Sequence, residues 1–417
     1  MIGPKDPEPV AASGAPPRPA EAPPEAYAAL RERFGFEAFR PGQAEVVAAA
    51  TAGRDVLCVM PTGAGKSLCF QIPALLSEGV TLVVSPLIAL MKDQVDGLLR
   101  RGVRAAAVHS MVPLEEQDAA MDEAVLGHLR LLYVAPERFK SERFRARLAT
   151  VKVARVAVDE AHCISQWGHD FRPDYRRLGP AIAAMGSPPV MALTATAPVE
   201  VQDDIVAQLA MRDPVRFVKG IVRENLAFEV VSLRDREEKD LALFARVRRP
   251  GASLVYCATR KQVDRLHSEL KKRALAPLRY HAGLPEEERT ASQEAFLSGS
   301  ARLLVATNAF GMGVDRPDIR RVIHFDIPRT VEAYVQEAGR AGRDGLPSEC
   351  SLLYHPADLH IQRWFLEAAN PSREVVAEVC RVLFEAGEGR VELTHDDIAE
   401  RMRVRTAASG VDRKSVV

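Results

Sequence analysis

The sequence predicts an α/β protein built from two tandem, doubly wound parallel-sheet lobes followed by a small helical C-terminal segment. Three observations lead to this fold class. Short apolar runs alternate with helix-sized mixed segments, which is typical of parallel strands buried on both faces. The alternation breaks between Asp213 and Asn225 and then resumes, which indicates a second lobe. A glycine-rich loop follows the first apolar run, at the strand end where ligands bind in this architecture.

The predicted strands are continuous apolar runs rather than alternating ones, so each is expected to be covered by helices on both sides. In the first lobe they lie at 56–60, 81–85, 105–109, 131–135, 156–159 and 190–194. In the second lobe they lie at 254–257, 278–281, 303–306, 322–325 and 352–354. The segments between the runs are expected to form the helices.

Composition and pattern divide the chain into four parts, at 1–24, 25–217, 218–356 and 357–417. The first is dominated by Pro, Ala and Glu and predicts a disordered leader. The second and third are the two lobes, and the first lobe is expected to open with an amphipathic helix at 27–34. The fourth predicts helices and a short strand, with Thr394 as a helix N-cap. This order is compatible with a partial winged helix.

Charge and cysteine content limit the classes of function. The chain has 417 residues, which predicts two or three domains, and its 56 Lys and Arg balance 56 Asp and Glu. Any nucleic-acid surface must therefore be local. The six cysteines are scattered without a C-x-x-C pair, so buried reduced thiols are expected and a zinc site is not. With no signal peptide or long apolar span, we expect a cytoplasmic protein that does not enter a membrane.

The stretch from Met60 to Ser67 reads Met-Pro-Thr-Gly-Ala-Gly-Lys-Ser and joins a predicted strand to a predicted helix. Such a loop turns backbone N–H groups and a helix N-terminus toward an anion. The sequence therefore predicts a nucleotide phosphate site in which Lys66 reaches the β- and γ-phosphates and Ser67 binds Mg²⁺. The cradle itself would be formed by Thr62, Gly63, Ala64 and Gly65. The alternative is a chance glycine turn, which the flanking strand and helix disfavour.

Two acidic residues, Asp159 and Glu160, follow the predicted strand at 156–159. At this position Asp159 can bind Mg²⁺ and Glu160 can orient or deprotonate the water that attacks a γ-phosphate. A solvated acidic loop is the alternative. The presence of Lys66 and Ser67 favours the catalytic interpretation, because a phosphate cradle requires such an acid.

Two arginines, Arg340 and Arg343, lie three residues apart at a predicted helix end in the second lobe. At that spacing they can share one helix face. An arginine delivered from a separate lobe can stabilise charge on a transferring phosphoryl group. The alternative is a surface salt-bridge cluster with Glu337 and Asp344, which the spacing does not exclude.

With these residues in place, the chain resembles the superfamily 2 helicases, and within them the RecQ family of DNA helicases, over 27–356. Segments that resemble family motifs occur in the family's order at 36–43, 60–67, 85–94, 133–138, 159–162, 193–197, 280–283, 306–315 and 336–345. The resemblance implies two RecA-like lobes. Met60 replaces the first glycine of the general phosphate-loop pattern, a substitution that is common in this superfamily.

The resemblance also implies residues that contact the base of ATP. In the segment 36–43, Phe36 would stack on adenine, Arg40 would support it, and Gln43 would hydrogen-bond the purine edge. Asp315, at the end of the motif-like segment 306–315, would contribute to the nucleotide site. The implied cofactors are ATP and Mg²⁺.

The segment from Cys163 to Tyr175 narrows the resemblance to the RecQ family. It resembles an aromatic-rich loop that couples DNA contact to hydrolysis, carried here by Trp167, His169, Phe171 and Arg172. Aromatic rings interleaved with an arginine can stack on bases and contact a phosphate. The alternative is that the aromatic residues belong to the core, which the polar and irregular surroundings disfavour.

The implied function is an ATP-dependent DNA helicase that moves 3′→5′ on single-stranded DNA and unwinds tailed duplexes in recombination or repair, acting as a monomer. Ser85, His109, Thr259 and Thr307 lie at strand ends and are hypothetical DNA phosphate contacts. RecQ proteins commonly carry a four-cysteine zinc module and a winged helix with a strand-separating hairpin, neither of which this sequence shows complete. Two alternatives are a nucleic-acid-stimulated ATPase that translocates without separating strands, and an ATP-gated DNA clamp with negligible turnover.

Overall fold

The computed structural model describes residues 21–167, 171–220, 223–311, 316–386, 393–394 and 397–402. Within them, the strands form two separate sheets in which all strand pairs are parallel. The predicted fold class of two α/β lobes followed by a helical segment is confirmed. No helix in the described ranges is both long enough and apolar enough to cross a membrane.

The sheet of the first lobe has seven strands in the order β3-β4-β2-β5-β6-β1-β7. The strands are β1 Val56–Val59, β2 Val80–Val84, β3 Ala105–Val108, β4 Leu131–Val134, β5 Val153–Val158, β6 Val190–Thr194 and β7 Val215–Val218. The helices are α1 Pro24–Ala29, α2 Gln43–Thr51, α3 Lys66–Leu76, α4 Ile88–Arg100, α5 Leu114–Val125, α6 Glu142–Leu148, α7 Leu178–Ala184 and α8 Val199–Gln208. Short 3₁₀ turns occupy Pro136–Lys140, Ala161–Ile164 and Pro173–Arg177, and α1 continues as a π-helical turn at Leu30–Phe34.

The sheet of the second lobe has six strands in the order β10-β11-β9-β12-β13-β8. The strands are β8 Leu226–Ser232, β9 Ala252–Tyr256, β10 Leu278–Tyr280, β11 Leu303–Ala306, β12 Ile319–His324 and β13 Ser348–Tyr354. The helices of this lobe are α9 Arg236–Val247, α10 Arg260–Lys272, α11 Glu286–Leu297 and α12 Val331–Ala338. The C-terminal segment contributes α13 Asp358–Ala369 and α14 Arg373–Glu385.

Strand β1 shows why continuous apolar runs form this sheet. All four of its residues are buried, and they alternate between two hydrophobic clusters on opposite faces of the sheet. Leu57 and Val59 pack on one face, while Val56 and Cys58 pack on the other. Because β1 pairs with β6 and β7, the phosphate loop that follows it leaves from inside the sheet rather than from its rim.

Two strands, β7 and β8, were not predicted from the sequence. Both lie at a sheet edge and expose part of their side chains, so neither contains a continuous apolar run. Strand β7 lies inside the stretch in which the sequence alternation breaks, and β8 begins directly after it. The first sheet ends at Val218 and the second begins at Leu226, while the domain boundaries proposed from the sequence stay a prediction.

Five of the six cysteines are buried, all six are free, and Cys380 is exposed. This confirms the prediction of buried thiols for the two lobes. At the far C-terminal end, the Asp397 N–H donates to the Thr394 hydroxyl at 3.1 Å, so Thr394 acts as the predicted cap. Part of the expected short strand, at 391–392, and the leader up to residue 20 lie outside the described residues.

A buried ion-pair cluster joins the C-terminal segment to the second lobe. The Lys239 ammonium of α9 lies 2.7 Å from the Asp358 carboxylate of α13 and 3.6 Å from the Asp326 carboxylate that follows β12. All three side chains are at least nine-tenths buried. Because both acids share one cation, the first turn of α13 is held against the lobe.

Lys239→Met is expected to lower the free energy of unfolding by about 3–5 kcal/mol, because it leaves two buried carboxylates without their cation. Urea unfolding followed by circular dichroism measures the change. Lys152→Met is the matched control, since Lys152 pairs with Glu78 on the surface and its loss is expected to change stability little. Equal, small effects of the two substitutions would contradict this account.

Candidate active site

A cavity of about 520 Å³ lies between the two lobes. Most residues predicted to bind or hydrolyse ATP line it. From the first lobe these are Phe36, Arg40, Gln43, Thr62, Gly63, Gly65, Lys66, Ser67, Asp159 and Glu160, and from the second they are Arg340 and Arg343. The structure therefore brings together side chains from segments that are up to about three hundred residues apart in sequence. Of the other predicted nucleotide contacts, Ala64 lies in the phosphate loop beside the cavity, and Asp315 lies outside the described residues.

The phosphate loop has the strand–loop–helix geometry that the sequence predicts. Gly63 and Gly65 adopt left-handed backbone conformations, with φ of 86° and 81°. This region is costly for residues with a Cβ, so glycine allows the tight turn into α3. Lys66 is the first residue of α3, and its ammonium donates to the Met60 carbonyl at 3.0 Å across the loop. The helix N-terminus and the lysine thus both face the cavity as an anion site requires.

The adenine-motif residues brace the phosphate loop, a role that the sequence did not predict. The buried Gln43 amide donates to the Ala64 and Gly65 carbonyls, both at 3.0 Å, and accepts from the Arg40 N–H at 2.8 Å. The Arg40 guanidinium donates to the Gly63 carbonyl. Since these groups bond the loop here, the purine contact expected of Gln43 stays a prediction. Phe36 is 47% exposed on the cavity wall, which suits a stacking ring.

The acid pair lies directly after β5 at the bottom of the cavity. Burial, followed by the charge of Glu160, raises the pKa of the Asp159 carboxyl to about 7, although Lys66 opposes this shift. Glu160 has a left-handed backbone with φ of 47°, which costs on the order of 1–2 kcal/mol for a residue with a side chain. His162 Nδ1 lies 3.5 Å from Glu160 Oε2. Two largely buried carboxylates in one cavity favour the binding of a positive charge beside them.

Ser67 and Asp159 fit the requirements of a Mg²⁺ site. Mg²⁺ prefers oxygen ligands and is usually held by one or two protein groups together with phosphates. Within the described ranges, no three His, Cys, Asp and Glu side chains gather as a protein-only metal site would need. A cation here would therefore depend on the Ser67 hydroxyl, the Asp159 carboxylate and the phosphates of a bound nucleotide.

Gln94 supports Ser67 and was missed as a site residue in the sequence analysis. Its amide donates to the Ser67 hydroxyl at 3.3 Å, and its carbonyl accepts from Gln71 at 2.6 Å and from the Tyr133 hydroxyl at 3.4 Å. Gln94 ends the motif-like segment 85–94, which was the available signal. Nothing in that pattern indicated that its side chain would reach the phosphate loop.

The two arginines do not share a helix face, so that detail of the prediction is wrong. Helix α12 ends at Ala338, and both arginines follow it in turns. They nevertheless line the cavity, and a side chain added at Gly63 would contact Arg343 Cγ at 3.3 Å. The acids named in the alternative salt-bridge cluster have other partners. Glu337 bonds His324 at 2.9 Å, and Asp344 bonds Arg320 at 2.6 Å.

The structure describes the aromatic loop between Cys163 and Tyr175 except for 168–170, and its described residues range from buried to exposed. Trp167 is 80% exposed, so the core interpretation is wrong for this residue. Phe171 is partly buried under the Arg176 guanidinium, and the Arg172 backbone N–H donates to the Cys163 carbonyl at 2.8 Å. His169 lies outside the described residues.

The buried Tyr175 connects this loop to the site. Its hydroxyl donates to the Asp159 backbone carbonyl at 3.1 Å. One tyrosine thus joins the C-terminal end of this loop to the acid pair.

Three of the four hypothetical DNA contacts, all except Ser85, accept hydrogen bonds from groups of the protein itself. Ser85 is buried near the Asp159 carboxylate. His109 and Thr307 are also largely buried and accept hydrogen bonds from nearby backbone N–H groups. The Thr259 hydroxyl caps α10 by accepting from the Gln262 N–H at 3.2 Å. Their contacts with DNA phosphates stay a prediction.

This fold and site define a class: two-lobed helicases that hold a nucleotide between tandem domains. Family descriptions agree, with "DEAD/DEAH box helicase" matching residues 40–205 and "Helicase conserved C-terminal domain" matching 238–345. The ssDNA- and AMP-PNP-bound helicase Lhr of Mycobacterium smegmatis shares the fold, with a TM-score of 0.63 and 19% identity over 90% of this chain and 55% of that chain.

Within this class of two-lobed helicases, the chain belongs to the RecQ family. It is 46% identical to the ATP-dependent DNA helicase RecQ of Bacillus subtilis over 83% of this chain. It is 42% identical to the probable ATP-dependent DNA helicase RecS of the same organism over 85% of this chain and 72% of the relative. The matched region spans 58% of the length of that RecQ relative.

Gly65→Ala is expected to abolish nucleotide binding, because the new Cβ would collide with the Gln43 amide that braces the phosphate loop. Titration with a fluorescent ADP analogue measures binding. Gly53→Ala is the matched control, since Gly53 also has a positive φ of 75° but open space around it. Both variants are expected to lose on the order of 1–2 kcal/mol of stability through backbone strain. Undiminished nucleotide binding by Gly65→Ala would argue against the brace.

Proposed function

We propose that this chain is an ATP-dependent DNA helicase that couples ATP hydrolysis to 3′→5′ movement on single-stranded DNA and to duplex unwinding, in DNA recombination and repair. One observation carries the proposal: the phosphate loop and acid pair of the first lobe share a cavity with Arg340 and Arg343 of the second. A site divided between two lobes is complete only when the lobes approach each other. Membership of the RecQ family supports DNA as the nucleic acid.

In the proposed reaction, ATP lies with adenine on Phe36 and its phosphates on the loop that ends at Ser67. Arg40 and Gln43 hold the loop, and Gln43 reaches the purine edge when the nucleotide is bound. Lys66 leaves the Met60 carbonyl for the β- and γ-phosphates. Ser67 and Asp159 would hold Mg²⁺, which neutralises developing phosphate charge when it is bound.

Glu160 is proposed to orient and deprotonate the attacking water. Its carboxylate is largely buried, with Oε2 at 3.5 Å from His162 Nδ1. Arg340 and Arg343 would stabilise the charge on the transferring phosphoryl group, a contribution of about 10³–10⁵ in rate where such arginines operate. Because they come from the second lobe, hydrolysis is tied to lobe closure.

DNA binding is proposed to involve the loop that carries Trp167, Phe171 and Arg172. An exposed tryptophan provides a stacking surface for a base, and an arginine can contact a phosphate. The hydrogen bond from Tyr175 to Asp159 offers a physical route by which occupation of this loop reaches the acid pair. If both lobes grip one strand, each cycle of closing and opening advances the protein along it.

The remaining parts of the proposal concern context. We propose single-stranded DNA and 3′-tailed duplexes as substrates, a monomer as the acting species, and the cytoplasm or nucleoid as the location. The absence of a net charge favours a local DNA surface over non-specific attraction by the whole molecule.

Lys66→Ala is expected to reduce DNA-stimulated ATP hydrolysis to background, because the phosphates lose their principal cation. A coupled steady-state ATPase assay with and without single-stranded DNA measures this. Lys152→Ala, at an exposed position far from the cavity, is expected to retain full activity. A thermal melt like that of the parent protein shows that the fold is intact. An active Lys66→Ala variant would refute the site.

The ATPase assay and a strand-displacement assay on tailed duplexes distinguish the alternative functions. Negligible turnover with single-stranded DNA would favour an ATP-gated clamp over an enzyme. ATP consumption without strand release from a 3′-tailed duplex would favour a translocase that does not separate strands. Displacement of the strand, with a 5′-tailed duplex left intact, is the outcome expected for the proposed helicase.

Trp167→Ala is expected to raise the single-stranded DNA concentration that gives half-maximal ATPase stimulation, because a stacking ring contributes about 1–3 kcal/mol per base. This corresponds to roughly 5- to 150-fold weaker binding. The chain has one other tryptophan, Trp364, which is 52% exposed on α13. Trp364→Ala is therefore the control and should leave the DNA titration unchanged. Equal effects of both substitutions would remove the special role of Trp167.

A further inference from the structure

The segment between the two sheets carries two side chains that bond the loop with the catalytic arginines. The Arg223 guanidinium donates to the carbonyls of Gly339 at 3.0 Å, of Ala341 at 2.9 Å, and of Gly342. The Asn225 amide donates to the Gly342 and Leu346 carbonyls, both at 2.9 Å. Arg223 and Asn225 of this interlobe segment, 219–225, therefore supply five donor contacts to one short stretch of backbone.

That stretch, 339–346, has a particular need for donors. It begins where α12 ends, and the last carbonyls of a helix have no partners within the helix. The loop forms turns rather than a strand or helix, and Gly342 has a left-handed φ of 53°. Backbone N–H groups of Gly342 and Asp344 donate to the Ile319 and Pro317 carbonyls. The shape of the stretch also depends on side chains that satisfy its own carbonyls. Arg340 and Arg343 project from this backbone, so their direction depends on it as well.

The same guanidinium is also close to the phosphate loop. A Cβ added at Gly63 would lie 3.6 Å from Arg223 Nη1 and 3.3 Å from Arg343 Cγ. The interlobe segment leaves the first lobe at Val218, which pairs with Val59 at the end of β1. Five peptide units separate Val218 from Arg223, so their Cα atoms can be at most about 18 Å apart. Arg223 thus bonds the arginine loop and lies close to Gly63 of the phosphate loop.

The Arg223 guanidinium lies in surroundings that are electrostatically unfavourable for a cation. Burial, followed by the positive charges of Arg343 and Arg40, lowers the pKa of the half-buried Arg223 guanidinium. A cation among other cations is disfavoured unless its N–H groups are well satisfied. The planar fork of arginine can reach three carbonyls at once, whereas a lysine ammonium is a single point of charge.

We propose that Arg223 is a positioning residue for ATP hydrolysis: it holds the backbone of 339–346 so that Arg340 and Arg343 face the phosphate loop. This inference rests on the proposed function for its kinetic consequence, while its structural part stands independently. Arg223 does not contact the reacting atoms in this account. Arg223 acts by orienting the side chains of Arg340 and Arg343. The interlobe segment therefore contributes to catalysis through the position of these two arginines.

The test compares Arg223→Lys, Arg223→Gln and Asn225→Ala with the parent chain. Arg216→Gln is the matched control, because Arg216 lies on β7 in the same region and pairs with Asp203 at the surface. The first measurement is hydrogen–deuterium exchange of the amides at 340–345 in nucleotide-free protein. We expect exchange there to rise by about tenfold or more in both Arg223 variants and less in Asn225→Ala, with the control unchanged.

The second measurement separates binding from catalysis. In the Arg223 variants, kcat with single-stranded DNA should fall by about 10- to 100-fold, while KM for ATP and the affinity for ADP stay near parent values. The affinity for ADP with aluminium fluoride, which mimics the transferring phosphoryl group, should fall with kcat. Lysine is expected not to rescue, because it keeps the charge and loses the fork.

The outcomes distinguish this inference from the proposed function. Exchange and kcat like those of the parent in Arg223→Lys and Arg223→Gln would overturn the inference. If the parent chain shows no DNA-stimulated ATP turnover, the proposed function fails, and the exchange data alone decide whether Arg223 holds the loop. If both Arg223 variants unfold, Asn225→Ala tests the same loop through its other donor, and unchanged exchange and kcat there would overturn the account.

Discussion

The contact between the phosphate loop of the first lobe and the arginine loop of the second is the constraint on which the rest of the structure depends. Thr62 and Gly63 lie against Gly339 and Arg343 across the interlobe cleft. Because the two loops are in contact, the phosphates of one nucleotide can reach groups from both lobes. The two sheets, with the helices that cover them, hold these two irregular loops next to each other.

Neither loop is part of a helix or strand, and buried or half-buried side chains add hydrogen bonds that hold both of them. The Gln43 amide braces the phosphate loop, and Arg223 with Asn225 braces the arginine loop. Tyr175 performs a similar task for the backbone of Asp159. Backbone that must approach a ligand closely cannot spend its hydrogen bonds on a helix or sheet, so its orphan groups require donors from elsewhere. These supports connect segments far apart in sequence, which couples the parts of the site to one another.

Much of the fold was predictable because parallel strands buried on both faces require continuous apolar runs. Nine of the eleven predicted strands lie inside a sheet, whereas β7 and β8 lie at sheet edges, expose part of their side chains and leave a weaker pattern. The edge strands β3 and β10 were predicted as well. The cavity residues Asp159 and Glu160 were predictable because they follow directly after a strand, and Lys66 and Ser67 were predictable because they follow a glycine-rich loop between a strand and a helix. The arrangement of Arg340 and Arg343 was not, since the helix ends before them and their direction comes from Arg223, a residue more than a hundred positions away.

The sequence by itself determined the two-lobed α/β architecture, the phosphate loop, the acid pair and the resemblance to RecQ proteins. These depend on periodicity and on motifs whose chemistry is local, and local chemistry can be read along the chain. Only the tertiary structure decided that Gln43 turns toward the phosphate loop, that Trp167 is exposed, and that the interlobe segment bonds the arginine loop. Those features depend on which distant backbone groups lack hydrogen-bond partners, and that is defined only once the chain has folded.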